Sequence, residues 1–181
     1  MIYTFVAYDL EKNLGRAYNK CMDIVPNDDD WVLFLDHDAT FVQPDWYKNL
    51  NKIIEQNPEY DLFTCVMNRC GSRYQLVDGV DKNNHDIRYH REVGKKLSEV
   101  PDDKAVVDIT NSQPLSGVVI IAKKKMWKAI GGAKDGFLGV DNDIHVKCRQ
   151  NGMKVGLIRN LYVYHWYRAD AHETGGLRPL I

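Results

Sequence analysis

Trp31-Val32-Leu33-Phe34-Leu35 is a run of five apolar residues that ends in Asp36-His37-Asp38. A short, continuous apolar run bounded by polar residues is a strand buried on both faces, and such strands belong to sheets covered by helices. Residues i and i+2 of a strand point to the same side, so Asp36 and Asp38 face one space where the chain leaves the sheet. Two carboxylates that close repel each other unless a cation sits between them or one takes up a proton. Oxygen ligands at the mouth of an open α/β sheet suit a hard divalent ion, Mg²⁺ or Mn²⁺, carrying a phosphate ester. A solvated turn after a core strand is the structural alternative, since Asp is common in turns.

The bulk properties narrow the partners. The chain has 181 residues, enough for one domain with a sizeable core. Its 24 Lys and Arg nearly balance 25 Asp and Glu, so no basic excess exists to neutralise a polyphosphate backbone, and nucleic acid is not expected as a partner. Cys21, Cys65, Cys70 and Cys148 show no Cys-x-x-Cys spacing and read as free thiols of a cytoplasmic protein, with secreted disulfides as the alternative. Met1 to Asp9 has neither a basic leader nor a long apolar segment, and no window is long and apolar enough to predict a membrane span.

Along the chain, Ile2 to Ala7 reads as a first strand, and Leu14, Ala17, Tyr18, Cys21, Met22 and Val25 recur at helical spacing. After the Asp36 strand, Pro44 and Asp45 open a helix carrying Trp46, Leu50, Ile53 and Ile54, and Asp61 to Met67 reads as a third strand. Strand, helix, strand, helix, strand predicts an α/β fold with a mostly parallel sheet. Residues 68–116 hold scattered Gly and Pro and many charges, with a helix predicted near 86–97 and little core-forming material, as in a binding loop or lid. Val118 to Ala122 is a further strand, Lys124 to Ile130 a short helix closed by Gly131-Gly132, and Asp141 to Gln150 another helix. Val155–Ile158 and Leu161–Tyr164 read as two short strands, and the tail from Ala169 as a mobile end.

Three further groups could carry chemistry. Asp141 and Asp143 open a helix, where an Asp caps backbone N–H groups and suits the helix dipole. His165 ends an alternating strand, Tyr162-Val163-Tyr164, where a lone His serves as a structural hydrogen-bonder or as a ligand. Arg16 opens the first helix beside free amides and is placed either to meet a phosphate or ribose or to lie in solvent.

Taken in order, these groups resemble the GT-A glycosyltransferases, most closely the large inverting family that uses nucleotide-diphosphate sugars. Asp36-His37-Asp38 matches the Asp-x-Asp motif of that family, and Asn13-x-Gly15 leading to Asn19 is similar to its first-helix signature. Gly131-Gly132, then Gly139-Val140-Asp141-Asn142-Asp143, resembles its Gly-Gly-Phe stretch followed by Gly-Glu-Asp-x-Asp, and His165 stands where the family often places a third metal ligand. The resemblance spans about residues 2–168 and implies a GT-A fold, Rossmann-like with a mostly parallel central sheet flanked by helices. It implies a single minimal catalytic domain over 1–168, an acceptor-side insertion at 68–116, and a C-terminal lid at 169–181.

The same resemblance implies a hexosyltransferase acting on a nucleotide-diphosphate sugar, UDP-linked above all, and on a carbohydrate or other hydroxyl acceptor. Asp38 and His165 would hold Mn²⁺ or Mg²⁺, with Asp36 reaching the metal through water or binding the ribose. His37, Tyr167 and Arg168 would join the donor site, and Asp141 would be the general base, with Asp143 as its alternative. Two departures stand out: Val140 replaces the acid that precedes the base, and a strand–helix unit that usually reads the nucleotide base is missing. Ala7, Tyr8, Asp9 and Arg16 are then left to read the base. A retaining transferase, a sugar nucleotidyltransferase and a non-catalytic sugar-binding module are the competing expectations.

Overall fold

The computed structural model of the protein describes residues 1–167. β1 (Ile2–Phe5), α1 (Leu14–Asp23) and β2 (Trp31–Leu35) follow one another directly, and β1 lies parallel beside β2. Then come β3 (Ala39–Phe41), α2 (Trp46–Gln56), β4 (Tyr60–Met67), α3 (Ile87–Leu97) and β5 (Val106–Asp108). The described chain closes with β6 (Val119–Lys123), α4 (Lys124–Ala129), α5 (Val140–Gln150) and β7 (Lys154–His165). The strands form one seven-stranded sheet in the order β1-β2-β6-β4-β7-β3, with β5 paired to the first half of β7.

The fold is α/β, but the sheet is mixed rather than mostly parallel. Only β1–β2 and β4–β7 are parallel, while β2–β6, β4–β6, β3–β7 and β5–β7 are antiparallel. The reason lies in the path into β6. Ile109 is bonded to Val155 near the start of β7, whereas the Val118 carbonyl accepts the Asp36 N–H just past the end of β2. The chain between them climbs back to the carboxyl end outside the sheet, so β6 must run downward between β2 and β4.

Two apolar layers explain why β2 is hydrophobic throughout. Val32 and Phe34 face a layer that includes Tyr18 and Met22 of α1, Trp127 of α4 and Ile144 of α5. Trp31 and Leu33 face the other, with Leu50 and Ile53 of α2. The Phe34 ring lies 4.4 Å from that of Tyr18 and 5.6 Å from that of Trp127. Burying each such side chain is worth about 1.5–3 kcal/mol, so the alternation fixes the register of β2 and with it the direction of Asp36.

Two expectations change around β7. The predicted strands at 155–158 and 161–164 are one twelve-residue strand with a register shift against β4 between Cys65 and Val66. Buried Gln43 stitches this irregularity: its amide nitrogen donates to the Asn160 and Gly94 carbonyls, and its oxygen accepts the Tyr162 N–H. Residues 68–116 contribute more core than expected. His90 is fully buried, donates from Nε2 to the Asn84 carbonyl and accepts the Tyr162 hydroxyl at Nδ1, 2.8 Å away. Burial lowers its pKa, as befits a neutral imidazole.

Gly15 sets how closely α1 approaches the loop before α5. Its N–H donates to the Gly136 carbonyl at 3.1 Å, and a Cβ there would lie 1.8 Å from the Lys134 carbonyl oxygen. Gly15→Ala is expected to push α1 off that loop and destabilise the protein by about 1–3 kcal/mol, read as a lower urea midpoint at unchanged slope. Gly71→Ala, with no atom near its Cβ position, is the control and should shift the midpoint little.

Candidate metal centre

Asp36 and Asp38 leave β2 as expected, and β7 brings His165 to meet them. One ligand atom from each of Asp36, Asp38 and His165 lies within 4.8 Å of the others. The backbone enforces the meeting: Ala39 pairs with His165 across β3 and β7, and the Trp166 N–H donates to the Asp38 carbonyl at 2.9 Å. Asn68, at the end of β4, grips His165 twice, accepting its N–H at 2.8 Å and donating to its carbonyl at 3.0 Å.

The imidazole is fixed as firmly. His165 Nδ1 lies 2.8 Å from the Arg69 carbonyl, which can only accept, so Nδ1 carries the proton. In the neutral ring Nε2 is then a bare lone pair, and it faces Asp38 Oδ1 at 3.3 Å. Two acceptors at that separation need a proton or a cation between them. A ligand His whose other nitrogen donates to a backbone carbonyl is the arrangement that metal sites use to aim a lone pair. Two carboxylates suit a hard divalent ion, and the added imidazole nitrogen fits Mn²⁺ better than the oxygen-bound Mg²⁺.

The protonation of the three groups tells the same story. Burial raises the Asp36 pKa to about 6, with the Asp38 charge adding to the effect and His165 opposing it. For Asp38, burial is outweighed by the hydrogen bond and charge of His165, and its pKa falls. For His165, burial would lower the pKa, but Asp38 and the Arg69 carbonyl outweigh it and raise it. Without a cation, the cluster holds its excess negative charge by keeping protons.

Asp141 arrives from a different direction. It does not cap α5: the capping residue is Gly139, with φ of 68° in the left-handed region that glycine tolerates. Asp141 lies in the first helical turn, and its carboxylate accepts the Gly117 N–H at 2.7 Å and the Asn142 N–H at 2.9 Å. Gly117 adjoins Val118, whose carbonyl holds the Asp36 N–H. Asp141 is therefore close enough to add to the charge that raises the Asp36 pKa. A Cβ at Gly117 would come within 2.8 Å of the Asp141 side chain, so this approach requires glycine.

Other sequence candidates are placed differently. Asp143 is tied to Lys147 at 2.9 Å and accepts the Lys134 N–H. Arg16 is not open toward a phosphate: it donates to both Asp9 oxygens, at 2.8 and 2.6 Å, and to Glu11 at 2.7 Å. That contact drives the Asp9 pKa far below the carboxylate range and the Arg16 pKa upward. Asp9 and Arg16 thus clasp the loop after β1 to α1, while Ala7 is half-buried and Tyr8 exposed on that loop. His37 is exposed in a turn: β2 ends at Leu35, and the Ala39 N–H donates to the Asp36 carbonyl at 3.1 Å, so a turn rather than strand alternation sets the two Asp side chains.

Tyr167 stands beside His165 with ring centroids 5.3 Å apart, under the Arg69 guanidinium. Its φ of 49° is a left-handed conformation unusual for a bulky residue, of the kind that concentrates at functional sites. Arg168 and the lid expected at 169–181 lie outside the described residues. Sequence reasoning missed Asn68, the Arg69 carbonyl and the Gly117 N–H. Gly117 directly precedes a buried strand and could have signalled a close approach; the other two carry no local signal.

Compared with known proteins, the chain matches no family model and no curated sequence. Among the described residues no helix is long and apolar enough to cross a membrane, and all four cysteines are free thiols.

The proton-holding cluster fixes a pH dependence. A carboxyl whose pKa rises on folding loses stability as pH climbs from its unfolded value near 4 to its folded value near 6. A histidine whose pKa rises contributes stability that is full below about 6.5 and is lost as pH passes its folded value. Both act in one direction, so in chelator Asp36→Asn should raise the thermal midpoint at pH 8 relative to the parent protein. The advantage should shrink at pH 5, where the parent Asp36 is largely protonated. Equal shifts at both pH values would contradict the assignment.

Proposed function

We propose that the chain is a metal-dependent glycosyltransferase of GT-A type, which moves a sugar from a nucleotide-diphosphate donor, UDP-linked above all, to a hydroxyl acceptor with inversion. The observation that carries this is the facing pair of lone pairs, His165 Nε2 and Asp38 Oδ1 at 3.3 Å, with Asp36 beside them and the imidazole tautomer fixed by the Arg69 carbonyl. A centre built to attract one divalent cation, with a free carboxylate nearby, is what transfer from a diphosphate leaving group requires.

Asp38 and His165 are the residues that would hold Mn²⁺ or Mg²⁺, with Asp36 as third ligand or as a contact through water. When bound there, the ion would supply neutralisation of the charge that develops on a departing diphosphate. The chain's own residues do the rest. Asp141 takes the proton of the acceptor hydroxyl as it attacks, and the Gly117 and Asn142 N–H groups keep its carboxylate aimed. Asp143 is the weaker candidate because Lys147 engages it. Val140, which stands where the resembled family carries an acid, is fully buried and packs with Ile144 in the core. The residue before the proposed base therefore serves packing.

The decisive experiment is calorimetric titration of Mn²⁺ and UDP, followed by an assay for nucleotide diphosphate released from UDP-sugars. Asp38→Ala and His165→Ala should each abolish Mn²⁺-dependent UDP binding while the circular dichroism spectrum stays that of the parent protein. Unchanged Mn²⁺ affinity in either variant would reject the centre. Binding of donor without release, with every acceptor tried, would instead favour a non-catalytic sugar-nucleotide module.

Asp141→Asn keeps an oxygen that can accept the Gly117 N–H but cannot take a proton. The transfer rate should fall roughly 10²- to 10⁴-fold with donor affinity nearly unchanged. Asp143→Asn should leave the rate within a few-fold, because it removes only the Lys147 ion pair, worth about 0.3–0.5 kcal/mol at such helix spacing. The opposite ranking would move the base to Asp143.

A further inference from the structure

β1 stands at the end of the sheet order, with β2 on one side and, among the described residues, no strand on the other. Its pairing with β2 decides which backbone groups are left over. Trp31 lies opposite Ile2 and its N–H donates to the Met1 carbonyl, so the peptide groups of Tyr3 and Phe5 turn toward β2. Alternation then turns the N–H and C=O groups of Ile2, Thr4 and Val6 outward. Among the described residues no backbone group bonds to them, and only the Tyr47 hydroxyl reaches the Ile2 carbonyl, at 3.5 Å.

Open sheet edges are ordinarily guarded by charges, prolines, bulges or a covering segment, because a bare edge pairs with another chain. Ile2 to Tyr8 hold no charge and no proline, and β1 runs along β2 without a register shift. Thr4 and Tyr8 are exposed, and Val6 has 56% of its surface in water. The strand also fits a copy of itself. In an antiparallel pair centred on Thr4, Thr4 stands opposite Thr4, Ile2 opposite Val6 and Tyr3 opposite Phe5. The outward groups of Ile2, Thr4 and Val6 are then the ones that meet, each N–H finding a carbonyl of the other copy. Thr–Thr, β-branched and aromatic pairs are cross-strand pairs that stabilise such ladders. Two-fold pairing also uses the same edge of both copies and so closes it.

We propose that the outer edge of β1 is an interface with a second copy of this chain, in which the two β1 strands pair antiparallel about a two-fold axis at Thr4 and one sheet runs through both protomers. The inference goes beyond the transferase reading and stands without it, since neither the metal centre nor Asp141 takes part. A strand from an unrelated protein has no reason to match all three kinds of side-chain pair at once, whereas a second copy matches them by symmetry.

The test is sedimentation velocity of the full chain in chelator, from low micromolar to near-millimolar concentration. The 20.9 kDa chain should pass from monomer to dimer as the concentration rises. Amide exchange at Thr4 and Val6 should slow over the same range, while Tyr3 and Phe5, already turned to β2, should keep their rates. Thr4→Lys sets like charges opposite each other on Cα atoms about 5.5 Å apart and should weaken association about tenfold or more, as should Thr4→Glu. Thr4 is exposed, so both variants should keep the circular dichroism spectrum of the parent protein. An equimolar mixture of the two variants should dimerise again, because pairing centred on Thr4 puts the lysine opposite the glutamate.

The interface is overturned if the parent chain stays monomeric at every concentration, or if Thr4→Lys associates as the parent does. A dimer in which the Thr4 and Val6 amides exchange at the monomer rate rejects this edge. A mixture that associates no better than either variant alone rejects the two-fold at Thr4.

Discussion

The 3.3 Å approach of His165 Nε2 to Asp38 Oδ1 organises the carboxyl end of this sheet. Neither atom can donate when the imidazole is neutral, and the Arg69 carbonyl forces the proton onto the other nitrogen. With a neutral imidazole and no cation, such a contact would separate if left alone. It persists because Asn68 grips the His165 backbone on both sides and the Trp166 N–H holds the Asp38 carbonyl. The surroundings hold the two atoms together even when the imidazole is neutral, and polar atoms in that condition call for a proton, as the raised His165 pKa shows, or for a cation.

Much of the architecture can be understood as the means of holding that pair. β2 delivers Asp36 and Asp38, and its register is fixed by two apolar layers that leave no freedom to slip. β7 delivers His165, and Gln43 absorbs the irregularity that lets this long strand serve β5 and β3 in turn. β6, inserted antiparallel, brings Gly117 and Val118 to the same end, and through them Asp141 is placed against the Asp36 side of the cluster. Short hydrogen-bonded links set these positions, so a small backbone change at Gly117 reaches Asp141 and, through Val118, Asp36.

The sequence elements that proved legible share one property: their signal is local. The apolar run 31–35, the helical spacing of Ala17, Tyr18 and Met22, and the Pro44-Asp45 helix start all appear where they were read. Asp36 and Asp38 were identifiable because they directly follow an apolar strand, although a turn rather than strand alternation brings them together. Asp141 was located, yet its role as a cap was not upheld, because Gly139 with its positive φ already starts the helix. Arg16 was misread for a comparable reason. Its partners Asp9 and Glu11 lie five to seven residues upstream, on a loop whose fold the sequence does not announce.

By itself, then, the sequence determined the helices and the longer strands but not the three-residue β3 and β5, together with the two apolar faces of the sheet and the carboxylate pair past the end of β2. Each follows from periodicity over a few residues, and periodicity is a property of the chain. Only the tertiary structure decided that β6 runs antiparallel, that Lys154–His165 is one strand, and that His165 meets Asp38 while Asp141 is held by Gly117 beside the residue that bonds Asp36. Only it showed that Trp166 stacks on His85, eighty-one positions earlier in the chain. Those facts depend on pairings between segments far apart in sequence. Such pairings are chosen by how all the elements pack at once, and no local pattern records them.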